Sequence, residues 1–139
     1  MRYAGDRTTI WQNHMTRRFW MLTVLASIAC SHPPRSSERL LPRQVAEVWT
    51  RTSLHDIPPS PARARRAFEA TYEGAGKLTA DVYELNSSAE GLDMVQRWKP
   101  APDTVFFYKD NYFAVVKWSQ ADRQALTAFV RALEKGLGA

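Results

Sequence analysis

Residues 104–109 and 112–118 alternate the sides on which their side chains fall and flank Asp110-Asn111, two residues that both tolerate positive φ. A two-residue hairpin is predicted, with Lys109 facing Tyr112 and Phe107 facing Ala114. One side of it carries Val105, Phe107, Tyr112, Ala114, Val116 and Trp118, the other Phe106, Tyr108, Phe113 and Val115. Both sides are apolar, so both must be covered. A second hairpin follows from the alternation of Phe68, Ala70 and Tyr72 with Glu69, Thr71 and Glu73, which returns through Gly74-Ala75-Gly76-Lys77 into Leu78–Leu85. Residues 62–70 also have good helix composition; strand is expected from about Arg66.

Helical spacing appears three times. Leu41, Val45, Val48 and Trp49, with Pro42 near the start, predict a short amphipathic helix over about 41–50. Ser87-x-x-Glu90 is a capping box for a helix bearing Leu92, Val95 and Trp98, which Pro100 and Pro102 end. Ser119-x-x-Asp122 is expected to cap a last helix bearing Ala125, Leu126, Phe129, Val130, Leu133 and Leu137, ended by Gly136 and Gly138. Ile57-Pro58-Pro59-Ser60-Pro61 must be extended loop. The order α-β-β-α-β-β-α predicts an antiparallel sheet in one α+β domain over residues 40–139. The C-terminal helix should cover one face. The helix at 41–50 with its Pro-rich lead-out should cover the other, or a second copy of the chain should do so.

The N-terminal pattern is of another kind. Met15-Thr16-Arg17-Arg18 precedes an uninterrupted apolar run from Phe19 to Ala29, and Cys30 follows. A positive segment, an apolar run of 11 residues and small residues before the cysteine are the layout of a secretory signal peptide. As a helix of about 1.5 Å per residue the run is too short to cross a hydrocarbon core. Translation is expected to begin at Met15, since residues 1–14 are polar and unpatterned. Ala26-Ser27-Ile28-Ala29-Cys30 resembles a bacterial lipobox. That resemblance implies a signal peptide over 1–29, a diacylglycerol thioether and further acylation, such as palmitate, on Cys30, and a flexible tether over 30–39. Ser31 after the cysteine implies sorting to the outer membrane, facing the periplasm.

Charge changes meaning in this light. The full chain of 139 residues carries +5, but without residues 1–29 it holds 15 basic and 13 acidic residues. Residues 30–66 come to +4 and residues 67–139 to −2. An acidic domain argues against nucleic acid as partner, because phosphate binding needs a positive surface. The aromatics at 106–118 are accordingly core residues rather than a stacking platform. The composition, 45% hydrophobic and 24% charged, is that of a globular chain. One cysteine excludes an intramolecular disulfide framework and thiolate clusters. His14, His32 and His55 show no metal-ligand spacing, and His55-Asp56 reads as an exposed loop pair. Glu69, Glu73, Asp81 and Glu84 fall on adjacent strands, where carboxylates could meet for acid–base work, although solvent-facing alternation accounts for them as well.

Tyr72-Glu73-Gly74-Ala75-Gly76, Leu78–Leu85, Gln96-Arg97-Trp98 and Tyr112–Val116 resemble an uncharacterised family of bacterial secreted proteins classed as a domain of unknown function. The resemblance spans residues 40–137 and implies no activity for any residue. The order of elements is similar, at fold level only, to the PsbP-like α/β/α sandwich. The expected protein is an envelope lipoprotein without cofactor, metal or catalytic residues. It would be a non-enzymatic binding or structural module, partnered by the membrane through its lipid and by an envelope protein or a second copy. The alternative is a small-molecule or lipid-binding module using an aromatic cavity between the sheet and the C-terminal helix.

Overall fold

The computed structural model describes residues 33–139, and Pro33–Ala139 form one compact unit. The expected leader, the Met15 start, Cys30, Ser31 and His32 lie outside the described residues. In chain order the elements are α1 (Ser37–Leu40), β1 (Gln44–Val45), β2 (Trp49–Asp56), a 3₁₀ turn (Ser60–Ala62), β3 (Arg66–Gly74), β4 (Gly76–Glu84), α2 (Ser88–Arg97), β5 (Thr104–Lys109), β6 (Tyr112–Ala121) and α3 (Arg123–Leu137). The six strands form one antiparallel sheet in the order β1-β2-β3-β4-β6-β5. The α+β class holds.

Both expected hairpins are present. Lys109 pairs with Tyr112 and Phe107 with Ala114, in the register anticipated for Asp110-Asn111. Asp110 has φ 52°, the positive value that the turn demands. In the β3–β4 hairpin the strands run closer to the tip than expected, with Gly74 paired to Gly76 around Ala75. Flanking strands close on this tip from both sides. A Cβ on Gly76 (φ +131°) would meet the Gln120 carbonyl oxygen of β6, and one on Gly74 the Val48 carbonyl oxygen.

The expected helix at 41–50 does not form. Ala46 and Glu47 take positive φ, 49° and 62°, and turn the chain between β1 and β2. Trp49–Asp56 then pairs with β3 from Thr50↔Glu73 to Asp56↔Phe68, with a bulge between Arg51 and Ser53. The β-branched residues Val48, Thr50 and Thr52 suit a strand better than a helix, and long-range pairing outweighs the local spacing. The order is therefore α-β-β-β-β-α-β-β-α, with an additional hairpin ahead of the two expected.

Each sheet face has its own core. On one side Phe68, Tyr72, Leu78, Val82, Ala114 and Val116 meet Phe129, Leu133 and Leu137 of α3. Leu40, Leu41, Val45 and Trp49 join this side, not the opposite one. Phe129 stands edge-on to Tyr72 and Trp49, with ring centroids at 4.9 and 6.0 Å. The Trp49 indole N–H donates to the Ala125 carbonyl at 2.9 Å, and the Tyr72 hydroxyl to the Pro42 carbonyl at 2.8 Å. The opposite face is covered by α2 together with the Pro-rich segment. Ile57, Ala62, Met94, Val95 and Trp98 pack on Ala67, Tyr83, Phe113 and Val115.

The helix ends follow their caps. Ser87 accepts from the Glu90 N–H, while the Glu90 carboxylate accepts from the Asn86 N–H at 2.8 Å. For α3 the cap is Asp122, whose Oδ2 accepts from the Ala125 N–H at 2.9 Å, rather than Ser119. Strand β6 runs on through Ser119 to Ala121, which moves the helix start by three residues. At the other end of α3, Arg35 donates to the carbonyls of Gly136 (3.2 Å) and Leu137 (2.9 Å), which have no partner within the helix. Arg35, inside the expected tether, is thus part of the domain.

Two glycines should respond oppositely to the same substitution. Gly76→Ala should lower the melting temperature sharply, because a positive-φ site and a strand carbonyl both exclude the methyl. Gly136→Ala, where an added Cβ meets nothing within 4 Å, should be neutral or stabilise by up to about 1 kcal/mol. Phe129→Ala should cost about 3–5 kcal/mol in chemical denaturation.

Candidate functional site

Helix α2 and the 3₁₀ turn cover only part of their face. The remainder presents a row of ionisable side chains aligned by strand register. His55 of β2 pairs with Glu69 of β3, and Glu69 with Asp81 of β4. On β6, Lys117 projects from the position opposite Thr79. His55 Nε2 lies 3.2 Å from Glu69 Oε1, and Lys117 Nζ lies 3.4 Å from Asp81 Oδ2. Four groups from four consecutive strands therefore form one continuous polar line.

Asp81 is the unusual member. It is only 4% exposed, and its Oδ1 is buried without a hydrogen-bond partner. Burial pushes its carboxyl up to about 6 from an ordinary 3.8, and the neighbouring Glu69 carboxyl adds to the rise. The Lys117 ammonium opposes it. The same charges act on their neighbour Tyr83, whose phenol is pushed up to about 12, first by burial and then by Asp81 and Glu69.

Of the four carboxylates singled out in the sequence, the fold joins Glu69 with Asp81 and separates the others. Glu73 pairs with Lys77 within its own hairpin at 3.7 Å. Glu84 faces the α3 side, where it accepts from Arg66 Nε at 2.6 Å. Tyr112 on that side has its phenol raised, by burial and then by the Glu84 charge, against Arg35 and Arg66. His55 is exposed as expected, but it lies in β2 rather than in a loop, and its imidazole faces Glu69 across the strands rather than adjacent Asp56. Lys117 carried no signal of its own in the sequence. Its place in the row depends on β4 pairing with β6, two strands separated along the chain by α2 and β5.

The alternative site, between sheet and C-terminal helix, is filled over most of its length by Trp49, Tyr72 and Phe129. An open apolar groove of about 300 Å³ remains at one end, lined by Val105, Trp118, Leu126 and Val130 with Thr127 and Arg131. Among the described residues no group of three His, Cys, Asp or Glu could hold a metal ion, and no helix is long and apolar enough to cross a membrane. No family model, curated protein or solved structure matches the chain.

The raised Asp81 value sets the sign of a pH effect. A folded state that holds this proton more tightly than the unfolded chain has that stabilisation in full below about pH 4, and loses it as pH rises through about 6. Asp81→Asn cannot ionise. Its melting temperature minus that of the wild type should therefore increase from pH 4 to pH 8, as measured by circular dichroism.

Proposed function

We propose that the protein is a bacterial envelope lipoprotein, exported and anchored through an acylated Cys30, which presents its α+β domain as a non-enzymatic binding or structural module. The observation that carries this reading is Ala26-Ser27-Ile28-Ala29-Cys30 at the end of an apolar run flanked by Arg17 and Arg18. Removing that leader leaves a chain in which Arg35, five residues beyond the cysteine, is already held on the domain. The engagement of Glu73 and Glu84 by Lys77 and Arg66 supports a binding or structural role over an acid–base one. Ser31 favours the outer membrane, and an envelope protein or a second copy is the proposed partner.

A second reading has its own support. The open groove at Val105, Trp118, Leu126 and Val130 has the apolar lining and the size for part of a small hydrophobic ligand. Native mass spectrometry of the purified protein would report such a ligand as a bound mass lost in Val130→Trp.

Metabolic labelling with palmitate tests the anchor. The wild type should take up label and partition with membranes, and Cys30→Ser should do neither. An unlabelled wild type in a lipoprotein-processing host would overturn the anchor.

A further inference from the structure

The described domain has two poles. At one pole lie the last turn of α3, the β5–β6 hairpin, the first residue of β3 and the last of β4. The chain comes into the domain there, since Arg35 is held on the Gly136 and Leu137 carbonyls and its own carbonyl accepts from Arg66 at 3.0 Å. Four further cations sit at this pole. Arg39 belongs to α1, which packs on α3 beside Leu133 and Gly136. Arg65 donates its backbone N–H to the Glu84 carbonyl at the end of β4. The Lys109 side chain runs beside Gly138, and Lys135 lies in the last turn of α3.

All four are exposed, and none takes part in an ion pair among the described residues. The carboxylates at this pole are Glu84, Glu38, Glu90, Asp110 and Glu134. Glu84 is buried against Arg66, Glu38 faces Arg51, and Glu90 is used on Asn86, which leaves Asp110 and Glu134. The free charge is therefore positive. Lys and Arg in particular have long apolar stems that let the charged head reach beyond the surface.

We infer that this pole is the membrane-apposed surface of the domain, and that Arg39, Arg65, Lys109 and Lys135 hold it on the anionic headgroups of the bilayer. The inference rests on the anchor reading above for its geometry. Five residues from Cys30 to Arg35 span at most about 18 Å, so the Arg35 clamp can lie no further than that from the lipid surface, and the pole it belongs to is the one the anchor brings to the bilayer. Each cation that reaches the headgroups adds roughly fivefold to binding on an anionic leaflet. The attraction fades over a Debye length of about 8 Å at physiological salt, so only the pole beside the anchor benefits.

The test removes the acyl chain and asks the protein surface alone. The chain from residue 30 onward, carrying Cys30→Ser, is sedimented with vesicles of phosphatidylcholine alone or mixed with phosphatidylglycerol. It should bind the mixed vesicles at least tenfold better, and lose that preference in high salt. Lys109→Glu/Lys135→Glu should lose tenfold or more, whereas Lys99→Glu/Arg123→Glu, at the far pole with the same change in net charge, should change by less than threefold. A second near-pole pair, Arg39→Glu/Arg65→Glu, guards against a local folding defect and should lose comparably. No preference for anionic vesicles, or equal loss from both poles, would overturn the inference. Palmitate labelling of the wild type is unaffected by either result, so failure of the anchor and failure of the docking surface are told apart.

Discussion

Strand β6 is apolar on both sides over Tyr112–Val116, so water must be kept from both faces of the sheet there. Leu78, Ala80, Val82, Ala114 and Val116 point to α3, while Tyr83, Phe113 and Val115 point the other way. The two covers differ in reach. Helix α3 has 15 residues, about 22 Å, and with Trp49 and the segment around Leu40 it closes its side along most of the strands. Helix α2 has 10 residues, about 15 Å, and lies over strands that run to 9 and 10 residues, about 30 Å. The uncovered stretch of that face has to be polar, and Thr71, Thr79, Glu69, Lys117 and His55 occupy it. Asp81 sits at the edge of the cover, next to Val115 in the register, which is why a carboxylate in the polar row is also buried.

Much of this could be read from the residues, and the failures have physical causes. The β5–β6 register followed from Asp110-Asn111 and from two-sided alternation, both local signals. The capping residues of α2 were legible for the same reason. The stretch 41–50 misled because Leu41, Val45, Val48 and Trp49 satisfy a helical period, while the turn at Ala46 and Glu47 uses residues with no particular preference for positive φ. Only the pairing of β2 with β3 decides the matter, and that contact is not local. Ser119 fell short as a cap because β6 pairs with β4 as far as Ala121. In the polar row, Glu69 and Asp81 were visible as strand neighbours. Lys117 and His55 were not, since their places depend on which strands lie next to β4 and β3.

Charge is sorted in the fold more finely than along the chain. The acidic half of the sequence supplies the carboxylates of the open sheet face, and the basic segment supplies Arg35, Arg39 and Arg65 at one pole. At that pole Arg66 binds Glu84, on the α3 side of the sheet, and the backbone of Arg35 at once. Its guanidinium also lies 5.2 Å from the Phe68 ring centre, which ties the pole to the α3-side core.

The clamp of Arg35 on Leu137 joins positions 102 residues apart, nearly the whole of the described domain. The described domain is thereby a ring left open at a single point. A short peptide bridging that gap would complete the circle at little conformational cost, and the cut could then be moved elsewhere. The exposed Lys99-Pro100-Ala101-Pro102 link between α2 and β5 is the natural place for it, because none of its residues belongs to a strand or helix. A circular permutant opened there would keep every strand register and relocate its two ends to the opposite pole, away from the basic surface.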